Sequence, residues 1–507
     1  MGNLENLVRA TLHDVAREAR PADLTRAAMT QARRTTRYRL LKFIAGLTAI
    51  VVGAVGTVVV LGGTADQPPP LGVTTLYYSD GTTVLAELGD APVGLDQPTG
   101  LVVSHVLSEL STAAASPWRG QTWSQIRVAG AKIITTIDPR AQAELERAVD
   151  PSQADSPVAE MPENLRAAAV MVEPGTGRVL SYYGGSDGTG PDLAGVFVDE
   201  NGEVAGLGRH PPGGSFQVHT LAAALNAGYS LNSYWQWTPH PMPGRGEGNL
   251  INNASECPGA GNELSCSLLD STTASLNVPF YALTVSVGPA NVLSLARDAG
   301  VDSMWNDSGE RQVLTGGRDI NEVVPSQFDF ILGIGQYPIT VLDQANAMAT
   351  YAAAGVRANA HFVRAVWLAD EPVYGETLPA ADQAPILSAS ASADLDWALS
   401  RTEAGRIEGR DVATKTGEWQ YGASIQENAH AWTVGYTREL AMAVWVGAFQ
   451  GGPIRASDGS AVSGATVPAG IYRAAMAATH TAMNLPDIPF PAPVFAGELN
   501  PPGSVPG

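Results

Sequence analysis

Cysteine is nearly absent: two residues in 507, beside eight histidines, with no cluster of the two types. No donor set has the spacing of a metal centre, so neither a metal nor another cofactor is expected. Basic residues are also scarce, 30 against 50 acidic ones, for a net charge of −20. Phosphate backbones are repelled by such a surface, which excludes nucleic acid as a partner. No segment repeats, so repeat architectures drop out. What is present is a hydrophobic fraction of 45%, enough for a sizeable core. The length allows about three domains, or one large domain with extras.

The charge is uneven. Residues 1–42 hold nine Lys/Arg and four Asp/Glu, and the remainder holds 21 and 46. The divide falls at Phe43–Leu61, an uncharged run of 19 residues. As a helix it spans roughly 28 Å, about one hydrocarbon core. Arg33, Arg34, Arg37, Arg39 and Lys42 flank its N-terminal side. The positive-inside rule then predicts a single-pass cell-membrane protein with a cytoplasmic N-terminus and its bulk outside. A cleaved signal peptide would have a shorter apolar region and a shorter basic region before it. On the outer side, Cys257 and Cys266 are expected to pair. Their short loop would contribute about 2–3 kcal/mol in the chain-entropy account.

The predicted organisation is a cytosolic basic tail (1–42), a transmembrane anchor (43–63), a linker with a small linker domain (64–150), a main domain (151–485) and a Pro-rich C-terminal tail (486–507). Alternating patterns predict strands at Thr74–Tyr78, Thr82–Leu88 and Gly130–Ile137, and a hairpin at Ala167–Glu173 and Arg178–Tyr183. Further strands are predicted at Val412–Thr416, Ala429–Tyr436 and Leu440–Gly447. Helices are predicted at Pro139–Val149, Ser215–Ala227, Asn277–Val287, Ala290–Ala299, Val341–Ala354 and Ala469–Thr479, the first opened by Asp138 and Pro139. Strands at both ends around a helical middle imply an α/β (α+β) fold, a mixed central sheet with a helical layer against it.

Three short segments carry the chemistry: Pro211-Pro212-Gly213-Gly214-Ser215-Phe216-Gln217, Ser275-Leu276-Asn277 and Lys415-Thr416-Gly417. In this order they resemble the S-x-x-K, S-x-N and K-T-G motifs of penicillin-binding transpeptidases. The likeness extends to Gly130–Gln142, Ala167–Gly185, Leu332–Gly335 with Val341–Ala345, and the pair Ala431–Thr437 and Ala443–Gly447. It is closest to the bifunctional class A proteins, and it implies the penicillin-binding and serine β-lactamase fold. In those proteins a glycosyltransferase domain of about 170 residues follows the first strand pair. Here a short bridge leads from Gly89 to Val102–Leu110, and such a domain cannot fit.

The resemblance assigns catalytic roles to Ser275, Asn277 and Lys415, and a grip on the substrate's terminal carboxylate to Thr416 and Gly417. It also exposes three departures. The nucleophilic serine falls on Gly214, and the lysine that activates it falls on Gln217. Glycine has nothing to acylate, and a neutral amide takes no proton at pH 7. Glu418 stands where the family has Thr or Ser. A carboxylate there would repel a substrate carboxylate by about 1–4 kcal/mol at effective dielectrics of 80 to 20. Ser215 is the candidate substitute nucleophile, with His219 one turn further on, although a helix turns it about 100° from the family direction and no G-x-S-x-G elbow supports it.

Three readings follow. The first is a membrane-anchored, catalytically degenerate member of cell-wall (peptidoglycan) synthesis that binds a stem peptide or a partner in that machinery. The second is an active D,D-transpeptidase or carboxypeptidase using Ser215. The third is a non-enzymatic scaffold acting through the cytosolic tail and anchor.

Overall fold

The computed structural model describes residues 72–505, apart from 90–91, 160, 245–247, 259–263, 423–426 and 450. The expected basic tail and the Phe43–Leu61 span lie outside the described residues. Among the described residues no single helix is long and apolar enough to cross a membrane.

In chain order the elements used below are β1 (Thr75–Tyr77), β2 (Val84–Glu87), α1 (Gly100–Thr112), β3 (Ala131–Thr135), α2 (Pro139–Val149), β4 (Leu165–Val172), β5 (Val179–Tyr183), α3 (Gln217–Asn226), α4 (Asn277–Val287), α5 (Val341–Ala352), β6 (Val363–Leu368), β7 (Glu371–Gly375), α6 (Ala389–Leu399), β8 (Ala413–Gln420), β9 (Asn428–Tyr436), β10 (Ala441–Ala448) and α7 (Val467–Ala482).

The central sheet has the order β8-β9-β10-β4-β5 and is antiparallel throughout. Its inner strands are apolar at consecutive positions because both faces are covered. On β10, Ala441, Ala443 and Trp445 enter one core while Met442, Val444 and Val446 enter the other. Helices α2 and α7 contribute Leu145 and Met476 to the second core, and α5 contributes Ala345 and Met348 to the first. The helical layer expected against the sheet is therefore two layers, one on each face.

A second five-stranded sheet, β7-β6-β3-β1-β2, holds the parallel pair β1–β3. The mixture of strand directions expected in the central sheet is thus found in this smaller sheet. Its strands β6 and β7 arrive from the middle of the chain. Only residues 88–99 separate β2 from α1, the place where the class A pattern would carry its glycosyltransferase.

Local signals explain several boundaries. Asp138 opens α2 by accepting from the N–H groups of Arg140 at 2.9 Å and Ala141 at 3.3 Å. The helix expected over Ser215–Ala227 begins differently: a 3-10 turn at Gly213–Phe216 leads into α3. Gly213 has φ +53°, and a Cβ there would overlap the Glu418 carbonyl. That close approach to β8 tightens the first turn.

The tail from Pro486 forms no helix or strand of length but is tied down. Buried Asp394 on α6 accepts from the N–H groups of Val494, Phe495 and Ala496 at 2.7, 2.8 and 2.9 Å.

Candidate active site

Strand β8 brings Lys415 to the 3-10 turn, the segment between the short helix Leu268–Thr273 and α4 brings Ser275, and the first residue of α4 is Asn277. Ser275 adopts φ +56°, a left-handed conformation uncommon for a serine. That turn points its hydroxyl toward β8.

Four side chains form a directional chain. The Lys415 ammonium donates to Ser275 Oγ at 2.6 Å, and Ser275 Oγ donates to Gln217 Oε1 at 3.3 Å. Gln217 Nε2 donates to Asn277 Oδ1 at 3.1 Å, and Asn277 Nδ2 donates to the Asn252 carbonyl at 3.1 Å. Gln217, at the lysine position of the first motif, thus joins the second motif as a neutral link. Lys415 is 2% exposed and also donates to the Thr416 carbonyl at 3.0 Å. Burial pushes its ammonium down to about 8, against the smaller opposing pull of Glu418.

Gly214 faces this chain. A Cβ on it would stand 2.6 Å from Ser275 Oγ, 3.2 Å from the Thr416 carbonyl and 3.4 Å from Lys415 Nζ. Position 214 therefore looks directly at Ser275 and Lys415 of the other two motifs and carries no side chain.

Ser215 is not brought into this group. It is fully buried, and its hydroxyl donates to the Pro212 carbonyl at 2.9 Å. His219 is engaged elsewhere, with Tyr351 Oη at 2.7 Å and Gln344 Oε1 at 3.0 Å. Gln344 Nε2 donates to the Ser215 carbonyl at 3.3 Å, so its oxygen accepts from His219 Nε2–H and His219 Nδ1 accepts from Tyr351. Burial holds the imidazole down to about 4, neutral at pH 7. The Ser215–His219 pairing that sequence spacing allowed is not formed.

Gly417 lies flat against the turn, where a Cβ would overlap the Pro212 carbonyl. Thr416 and Glu418 share the other face of β8. Burial pushes the Glu418 carboxyl up, and its Oε1 accepts from the Gly464 N–H at 2.6 Å.

Supporting residues without a recognisable local signal complete the site. Trp432 on β9 donates from Nε1 to the Pro211 carbonyl at 2.9 Å. Asn253 Oδ1 accepts from the Val278 N–H at 2.9 Å. Further along the same segment Cys257 and Cys266 form a disulfide, with Cα atoms 5.9 Å apart. The disulfide packs on Leu276, the middle residue of the second motif.

Among the described residues no group of His, Cys, Asp and Glu is arranged to hold a metal ion. A hollow of about 870 Å³, with Arg406, Arg410 and Asp487 in its wall, contains none of the site residues. Two of its ion pairs are internal, Arg406 with Glu403 at 3.1 Å and Arg410 with Asp487 at 4.0 Å.

Residues 167–471 match the penicillin binding protein transpeptidase domain. The chain is 34% identical over 426 residues to penicillin-binding protein 1A of Mycolicibacterium smegmatis, covering 81% of this chain and 48% of that protein. Penicillin-binding protein 1A of Mycobacterium tuberculosis is 33% identical over 411 residues, 78% of this chain and 44% of that one. The chain thus spans about half the length of these curated relatives. Among solved structures, the penicillin-binding protein PonA1 of Mycobacterium tuberculosis superposes with a TM-score of 0.64 at 27% identity, over 81% of this chain and 97% of that one.

Proposed function

This chain belongs to the penicillin-binding protein transpeptidase family, and from that premise we propose that it is a catalytically degenerate member. It serves peptidoglycan synthesis by binding a stem peptide in a preserved cleft rather than by turning it over. The observation that carries this reading is Gly214, whose missing side chain would point at Ser275 and Lys415. Acyl transfer needs a nucleophile and a base beside it. Position 214 supplies no nucleophile, and Gln217 supplies an amide already committed at both ends. Losing such a pair typically costs on the order of 10⁶ in turnover.

The proposal extends to topology. Residues 1–42 form a cytoplasmic tail and 43–63 a single membrane span. Residues 64–150 form a linker with a small domain, 151–485 the transpeptidase-like domain and 486–507 a tail. The uncharged run behind a basic flank supports this arrangement. The partner is a stem peptide or a protein of the wall-synthesis machinery.

Fluorescent penicillin labelling of the full chain tests the reading. The natural protein should remain unlabelled, and Ser215→Ala should leave that unchanged. Gly214→Ser with Gln217→Lys should acquire covalent label, since the closest neighbour of the new Cβ is the rotatable Ser275 hydroxyl. Stoichiometric labelling of the natural protein, lost in Ser215→Ala, would instead establish an enzyme working through Ser215.

A further inference from the structure

Glu418 and Thr416 lie two apart on β8 and share one face, and both are partly exposed. The loop around Gly464 covers them. A Cβ at Gly464 would sit 2.8 Å from Thr416 Cβ and 2.9 Å from Glu418 Oε1. The loop is pinned because the buried Thr433 hydroxyl donates to the Gly464 carbonyl at 2.7 Å. Its N–H fixes one Glu418 oxygen at 2.6 Å, leaving the carboxylate's second oxygen free of that clasp. Lys415, the charged neighbour, spends its hydrogen bonds on Ser275 and the Thr416 carbonyl. A rigid acceptor-only group therefore stands where the family pattern grips a carboxylate. Two carboxylates within a few ångströms repel, whereas an N–H donor facing a carboxylate forms a charge-assisted hydrogen bond.

We propose that Glu418 inverts the selectivity of this cleft: it takes a peptide terminus that offers N–H donors, a carboxamide or an ammonium, and refuses a free carboxylate. This rests on the stem-peptide reading above and names the ligand chemistry of that same site. Thr416 and the Gly464 loop set the walls of the subsite, and Glu418 sets its sign.

The test uses the full chain in detergent micelles and fluorescence anisotropy with three dye-labelled D-Ala–D-Ala peptides. One ends in the free acid, one in the carboxamide, and one in an aminoethyl amide that carries an ammonium. The natural protein should bind the acid at least fivefold more weakly than the better of the other two. The order of those two distinguishes amide from ammonium recognition. Glu418→Thr should reverse the preference. Glu418→Gln, which keeps an oxygen for the Gly464 N–H, should abolish the discrimination even if the threonine variant folds poorly. Equal or tighter binding of the acid by the natural protein overturns this inference alone. Failure of all three peptides to bind the natural protein and both variants overturns the stem-peptide reading together with it.

Discussion

Lys415 reaches Ser275 across 140 residues of chain, its ammonium donating to the serine hydroxyl at 2.6 Å. The pair ties the third motif to the second, and Gln217 extends it to Asn277. These polar groups are bonded to one another, with glycine at 214 and glutamine at 217. On the reading proposed above, this bonded group beside Gly214, which has no side chain, is what makes the site one for binding.

Lys415 should titrate near pH 8. The chain has three lysines, Lys42, Lys132 and Lys415, so ¹³C-labelled lysine gives a spectrum simple enough to assign with Lys415→Met. The depressed value means that the unfolded chain binds more protons than the native one between about 8 and 10.5. Stability from this group therefore rises with pH across that window and is absent below it. A Lys415 resonance titrating above 10 would contradict the desolvated site.

Glu109 on α1 accepts from the Phe362 N–H at 2.7 Å and binds α1 to the start of β6. Burial raises its carboxyl to about 7. The native state then holds a proton that the unfolded chain releases near 4.5, and the associated stability is lost as pH rises toward 7. Glu109→Gln removes that dependence while keeping an acceptor. Urea midpoints should show the variant gaining on the natural protein between pH 5 and pH 8, and no relative change would count against the buried carboxyl.

The Cys257–Cys266 disulfide packs on Leu276 and so supports both ends of the second motif. Replacing both cysteines by serine should cost about 2–3 kcal/mol. It should also weaken peptide binding, because the disulfide packs on Leu276 between Ser275 and Asn277. Thermal melts and binding isotherms on the same preparation separate the two effects; a stability loss with unchanged affinity would show that the loop is not part of the site.

Asp394 gathers three backbone N–H groups of the C-terminal segment. Asp394→Ala should release that segment at a cost of about 1–3 kcal/mol. Limited proteolysis with mass spectrometry should find new cuts beyond Pro486, and an unchanged digest would mean that the remaining contacts hold the tail alone.

Much of the architecture was legible locally. The hairpin β4–β5 and strands β8 to β10 follow from apolar patterning, and α2 from its Asp138 cap. Other elements were silent for physical reasons. Helix α6 is buried on nearly all sides, so it shows no apolar stripe. The β6–β7 hairpin turns at Ala369 and Asp370, with φ +47° and +68°, and therefore lacks the glycine that usually marks such a turn.

The sequence by itself determined the order of the three motifs, the absence of a side chain at Gly214, the amide at Gln217 and the carboxylate at Glu418. These are covalent facts, and their chemical consequences follow from residue type alone. Only the tertiary structure decided that Ser215 turns away toward Pro212 and that Gln217 joins Ser275 to Asn277. It also decided that Gly464 clamps Glu418 and that β6 and β7 complete a sheet begun some 290 residues earlier, at Thr75. Each of these depends on backbone approach between segments far apart in sequence, where packing and hydrogen-bond satisfaction, not local propensity, select the partner.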